Sequence, residues 1–390
     1  LFLSVWKHSA DRVLFCKDDK ITVVSEELEK SSAPMSLVST HTDTANGADN
    51  IVGPFTQMSQ TVAKFVWNTA ATNIPQDLEW EIVLLTLAIA GLLWFLRGGH
   101  GSKGVDGRVR KAGLLQFLLP KDIYTHASAR VDVWLWVTER IFYPFWAIAL
   151  LATVGPATEQ SVISVLKWLF GNSPELHSNL AWMLLYSLVT LLCYDFVFFL
   201  THYAMHKVPA LWALHKIHHS AEVLTPLTRY REHFIDGPIW VVGGAVSYGF
   251  AAGIFGFLFN GGITEATLLN LGFFAVLFGF NGSFRHYHVQ FHYPVWLSKW
   301  LQSPVMHHVH HSYLQQHHDK NLAVFTSIWD RMFGTLYIPE VDEYTPWGLG
   351  PDSQSEHQTF WQNTTGPFRD WYKMLRPGAS GIHRSEREQS

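Results

Sequence analysis

Apolar runs at roughly 80–96, 131–154, 178–200, 238–259 and 263–280 restrict this chain to a helical architecture within a membrane. A helix that crosses a bilayer needs about 20 apolar residues, with a working range of about 17–25. The first run is at the short end, and Trp80 and Trp94 suit interfacial anchors. The second carries adjacent opposite charges, Glu139 and Arg140, which neutralise each other within the protein. Asn260-Gly261-Gly262 joins the fourth and fifth runs as a tight turn, so these two read as a helical hairpin. Composition agrees: charged residues make up 15% of the chain, against about 25% in an average soluble protein. The net charge of −4 gives no indication of a nucleic-acid partner. Cys16 and Cys193 lie far apart and offer neither a disulfide framework nor a zinc-finger spacing.

Charge also orients the chain. The 97–121 stretch holds Arg97, Lys103, Arg108, Arg110, Lys111 and Lys121, with Asp106 the one acid, so the positive-inside rule makes it cytoplasmic. Counting onward, 155–177 is an external loop, 201–237 returns to the cytoplasm, and the hairpin brings everything after Asn281 back there as well. The domain expectation is a polar N-terminal extension over 1–79, poorly ordered and without a signal-peptide core, then N-terminal transmembrane helices and loops over 80–184. A histidine-rich region follows over 185–337, with a polar tail over 338–390 lying on it or on the headgroups. Expected overall is an all-α polytopic membrane bundle with a cytoplasmic helical cap.

Of the 22 histidines, 15 fall between His202 and His318. His202 and His206, at i, i+4, share a helix face at the end of the third run, with Asp195 two turns earlier on that face, placed to hold an imidazole N–H or contact a metal. His215, His218 and His219 again share a face, and His307, His310 and His311 repeat their spacing. Between them lie His286 and His288, with His292 just beyond. A single such histidine is more often structural than a ligand. Burying eight or more together without metal, however, would leave many ring nitrogens to satisfy. The number suits two metals with about four or five ligands each, and a nitrogen-rich pair beside a membrane favours redox chemistry over hydrolysis. The zinc-peptidase pattern H-E-x-x-H is absent. A histidine-rich metal-ion transporter and a bis-histidine haem protein are the rival classes.

These boxes resemble those of the fatty acid hydroxylase superfamily, which includes sterol desaturases, sterol methyl oxidases and alkylglycerol monooxygenases. The resemblance rests on His202–His206, on Trp212-Ala-Leu-His215-Lys-Ile-His218-His219-Ser220, and on Thr225-Pro226-Leu-Thr228 followed by Arg231-Glu-His233. It continues through Pro304-Val-Met-His307, His310 and His311, Asn321, and Trp329-Asp330-Arg-Met-Phe333-Gly334-Thr335. It implies a non-haem centre of two iron ions, O2 as co-substrate, hydroxylation or desaturation of a lipid (sterol-like, fatty acyl or ether-linked), and an external electron-donor protein. The implied ligands are His202, His206, His215, His218, His219, His286, His288, His307, His310 and His311. Asp195, His233, His292 and Asp330 stand behind them, with His292 the reserve ligand. Trp329, Asp330 and Gly334 equally suit a turn that packs the C-terminal segment. His308, His317 and His318 are not expected to bind metal.

Overall fold

The computed structural model describes residues 14–17, 20–23, 80–103, 109–111, 113–260, 284–341, 343 and 345–376. Most of the expected 1–79 extension and all of the 263–280 arm of the hairpin lie outside these residues. Residues 1–76 form a separate compact unit, in which β1 (Leu14–Lys17) and β2 (Lys20–Val23) pair antiparallel. Among its described residues, the unit from Asp77 onward has helices and a short ribbon of β3 (His100–Lys103) and β4 (Val109–Lys111).

Eight helices organise the larger unit: α1 (Trp80–Leu96), α2 (Ala127–Phe170), α3 (Leu180–Lys207), α4 (Pro209–His219), α5 (Asp236–Leu258), α6 (Pro304–His310), α7 (Ile328–Phe333) and α8 (Phe360–Leu375). Among the described residues, α2, α3 and α5 are long and apolar enough to cross a membrane. Their outward residues suit lipid rather than water: Ile141 and Phe145 of α2 and Leu184 and Leu188 of α3 are exposed. The expected charge neutralisation is present as an ion pair between Arg140 and Glu139 at 3.2 Å.

One expectation needs correction. Residues 155–170 are not loop: α2 runs on to Phe170 and stops at Gly171, whose φ of 80° is left-handed. Hydropathy falls after Val154, but hydropathy reports surroundings rather than helix continuity. Thr158 and Ser161 donate to the carbonyls of Val154 and Ala157, four residues back, so these polar side chains stay within the helix.

Proline sets the corners that matter for the site. Pro209 biases Val208 towards extended backbone (φ −93°, ψ 115°), which ends α3 and starts α4. Pro304 opens α6 in the same way behind Ser303 (φ −76°, ψ 151°). Each H-x-x-H-H box therefore sits at the C-terminal end of a short helix opened by proline.

Helix α5 packs against both α2 and α3. Its contact with α2 depends on absent side chains. A Cβ on Gly249 would lie 2.4 Å from the Gly155 carbonyl oxygen, and one on Gly253 would lie 2.6 Å from Val162 Cβ. Small residues four apart let membrane helices approach closely. Gly249→Ala should therefore cost about 1–3 kcal/mol through overpacking. Gly366→Ala, in α8 with nothing within 4 Å of the added atom, should be neutral or slightly stabilising. Thermal unfolding in detergent compares the two; an equal midpoint for both variants would remove the close α2–α5 contact from the account.

Candidate metal centre

The ends of α3, α4 and α6 meet, together with the turn after Phe284. Nine imidazoles converge there in two groups. His202, His206, His215, His219 and His310 form one, and His218, His286, His307 and His311 form the other; within each group the ligand nitrogens lie within 4.8 Å of one another. In the first group, the Nε2 atoms of His202 and His215 are 2.9 Å apart, and those of His215 and His219 are 3.3 Å apart. In the second, the successive Nε2 separations His218–His286, His286–His307 and His307–His311 are 3.2, 2.9 and 3.1 Å. Nitrogens bound about 2.1 Å from one ion at right angles would be about 3.0 Å apart.

The backs of the rings settle which nitrogen is available. His202 Nδ1 donates to the Leu322 carbonyl at 2.7 Å and His310 Nδ1 to the Lys320 carbonyl at 2.9 Å, while His206 Nδ1 faces Asp319 Oδ1 at 3.3 Å. A nitrogen that donates to a carbonyl carries the proton, so the Nε2 atoms of these rings are lone-pair ends. The Nε2 atoms of His206 and His310 are buried and have no hydrogen-bond partner. Buried acceptors left this way are costly, and a metal ion would relieve the cost. The donor set therefore fits a metal.

The acceptors belong to one loop, 319–326, and buried carboxylates hold that loop. Asp330 accepts from the Leu322 and Ala323 amides at 2.8 and 3.1 Å, from Thr335 Oγ1 at 2.6 Å and from Gln302 Nε2 at 2.5 Å. Asp195 accepts from the amides of Val324, Phe325 and Thr326 at 3.1, 2.9 and 3.0 Å. Asp195 thus stands behind the site, but the expectation that it holds an imidazole or a metal is corrected: these amides and Thr326 Oγ1, at 2.6 Å, engage both its oxygens. Asn321, with left-handed φ of 56°, ties the loop to α6 by donating to the Met306 carbonyl at 2.9 Å.

Residues 187–335 match the family described as Fatty acid hydroxylase. Alkylglycerol monooxygenase of Xenopus tropicalis is 30% identical over 157 residues, covering 40% of this chain and 31% of the relative. Alkylglycerol monooxygenase of Danio rerio is 31% identical over 151 residues (38% and 30%), and that of Caenorhabditis elegans 28% over 169 residues (43% and 30%). Residues 187–335 thus resemble a fatty acid hydroxylase domain. It spans about a third of the length of the curated relatives it matches. No solved structure matches it. The fatty acid hydroxylase match encloses both histidine groups and the loop that backs them.

His288 is the implied ligand that the structure does not bring to either group. Its Nε2 pairs with the Phe117 carbonyl at 2.8 Å, because the turn at 286–288 points the two rings apart. His292, the reserve, also lies outside both groups, and His233 pairs through Nε2 with the Thr364 carbonyl at 3.0 Å. His308 is buried edge-on to Trp347, His317 bonds Glu343 at 2.7 Å, and His318 meets the Tyr313 carbonyl at 3.1 Å. Asp330 both backs the loop and forms the expected turn, its carbonyl accepting the Thr335 amide at 2.8 Å. Sequence reasoning passed over three features. Asp319, held below the usual carboxylate range as bonds from His206 and Lys207 outweigh its burial, has no local signal because its partners are over a hundred residues away. Arg285 directs Nη2 at His307 Nδ1, 2.7 Å away. Guanidinium only donates, so His307 Nδ1 is the accepting nitrogen there; a basic residue next to a box was a usable clue. Arg231 and Asp132, fully buried and 2.7 Å apart, link α4 to the start of α2, because Arg231 Nε also donates to the Ile217 carbonyl at 3.0 Å.

Burial pushes the site imidazoles towards neutrality, the form that ligates: His218 is lowered to about 3, and His215, His219, His307, His310 and His311 lie well below the usual value. In unfolded chain they would titrate near about 6.5. Below that pH the unfolded state takes up protons that the folded state excludes, so stability falls with falling pH. The thermal midpoint of metal-free protein should drop steadily from pH 7 to pH 5; a flat midpoint would mean that these rings are not held neutral. The same geometry separates neighbours. His310→Ala should lower bound metal at least about tenfold, since even outer contacts cost about 10–100-fold, while His308→Ala should keep it. Equal metal loss in both variants, measured by elemental analysis at matched expression, would contradict the grouping.

Proposed function

We propose that this chain is a membrane-bound, non-haem di-iron oxidoreductase that uses O2 to hydroxylate or desaturate a lipid. The observation that carries this reading is the pair of all-imidazole groups, five rings and four, at the exit of a membrane-spanning helix. A haem would take two axial histidines. Imidazole suits iron, and neutral ligands leave the site's positive charge uncompensated, which favours reduced oxygen species. Iron held by the two groups would supply the O2-dependent oxidation of an unactivated C–H bond.

The chain's own residues then have defined tasks. The Leu322 and Lys320 carbonyls and Asp319 fix ring orientation, and Arg285 holds His307. Phe198 and Trp240 stack with centroids 4.5 Å apart and cover His202 from the side of the spans. They share a small cavity between α3 and α5 with Tyr194, Thr201, Gly243 and Gly244. Phe255 and Phe257, by contrast, are buried on α5, Phe255 in packing with Tyr186, Ala251 and Phe259. Since the relatives are named alkylglycerol monooxygenases, an ether-linked glycerolipid is the first substrate to test. The 80–184 helices would anchor a 185–337 catalytic region, the basic 97–121 stretch would set the site on the cytoplasmic side, and an external protein would donate electrons.

Purified protein loaded anaerobically with Fe(II) and given O2, a reducing system and a 1-alkylglycerol should form an oxidised lipid. His218→Ala and His310→Ala, one from each group, should each lose at least about a hundredfold of that rate. Product formation undiminished in either variant would overturn the two-group reading. Oxidation of an added sterol or acyl lipid in place of the ether would keep the reading and change the substrate.

A further inference from the structure

Helix α8 lies beyond the matched 187–335 region and presents three distinct faces. The first is buried: Asn363, Gly366, Pro367 and Asp370 turn inward, and Asp370 pairs with Lys216 of α4 at 2.5 Å. The second is an outward stripe of Trp361, Thr365, Phe368, Tyr372 and Leu375, spaced four, three, four and three residues apart, all exposed; Trp361 is 71% and Leu375 83% accessible. At 100° per residue these five fall within about 80° of one another. Arg369, Lys373 and Arg376 run along one edge of the stripe as the third face, with Arg369 paired to Glu356 and Arg376 over the Tyr372 ring at 4.6 Å.

The structure also fixes the level at which α8 lies. Trp371 Nε1 donates to the Ala210 carbonyl at 2.8 Å, three residues past the end of the α3 span. The Thr364 carbonyl meets His233 Nε2 at 3.0 Å, three residues before the α5 span begins. Phe360 packs on Val131 and Leu135, near the start of α2. The helix therefore lies across the ends of all three spans, where a bilayer surrounding them would have its headgroups. Its outward aromatic residues suit that layer, and its basic edge suits anionic phosphates.

We propose that α8 is an interfacial helix that seats its Trp361–Leu375 stripe in the headgroup layer of the bilayer crossed by α2, α3 and α5, with Lys373 and Arg376 at the phosphates. The partner is the lipid surface itself, because the stripe is continuous with the span ends and its flanking charge is basic. Seated there, α8 braces α4, the helix that carries His215, His218 and His219, against the membrane. The inference rests on the three spans and is independent of which metal the histidines hold.

Spin labels test it on the full chain with Cys16→Ser and Cys193→Ala. Single cysteines replace Thr365 and Leu375 on the stripe, with Tyr372→Cys as a third position in case one variant misfolds, and Ser353 before the helix as the exposed control. The protein is reconstituted in vesicles of phosphatidylcholine and phosphatidylglycerol, and each label is probed with O2, which partitions into lipid, and with a water-soluble nickel chelate. Stripe labels should favour O2 over nickel several-fold more than the label at 353. Nickel access equal to that at 353 would place the stripe in water, and shielding from both probes would place it under protein, a second copy of the chain or another partner. Either result would overturn the proposal.

Discussion

Nine imidazoles share one buried region, and much of the chain is arranged to tolerate that. His202, His206 and His310 turn a lone pair to their neighbours because the nitrogen behind each is held by an acceptor. The loop over 319–326 does much of this for the five-ring group: two backbone carbonyls and one carboxylate accept from three rings, so proton position follows from backbone position. The loop is in turn spanned by Asp195 and Asp330, which together accept five backbone amides. Removing either carboxylate would release the acceptors on which the rings depend, without touching a ring.

The spans serve the same end. Helix α3 carries Asp195, His202 and His206 on one side, so a single rigid element sets both the carboxylate behind the loop and two rings in front of it. Pro209 then turns the chain so that α4 faces back on α3, and the buried Arg231–Asp132 pair fixes α4 to α2. A buried ion pair of this kind contributes little net stability but is costly to break on one side. Here it specifies where three histidines point. The glycine contact between α2 and α5 brings those two helices together, and α5 supplies Trp240 beside His202.

Much of this was legible in the sequence because helical spacing is a geometric statement. Histidines at i, i+3 and i+4 share a face whatever they bind, and the 202/206, 215/218/219 and 307/310/311 sets do sit on helices that converge. Legibility ended where the backbone leaves the helix. At 286–288 a turn separates two rings that spacing alone left equivalent, and His286 joins the site while His288 bonds Phe117. The partners of Asp319 lie more than a hundred residues away, so nothing local marks it; spacing did place Asp195 beside the site, but its partners in the loop are equally distant and were hidden. The length of α2 was hidden for a different reason: hydropathy reads the solvent a residue prefers, and α2 continues past its apolar stretch. The outward stripe of α8 was present in the sequence as a 4-3-4-3 pattern, but 338–390 read as a polar tail until the helix's inward face had been placed on α4.

The central claim is that the histidines form two metal-holding groups with fixed membership. Anomalous diffraction from crystals of iron-loaded protein, recorded on both sides of the iron absorption edge, tests it most directly. The account predicts two separate iron peaks, one surrounded by His202, His206, His215, His219 and His310 and the other by His218, His286, His307 and His311. A single peak, or a peak with His288 in its coordination shell in place of His286, would contradict it.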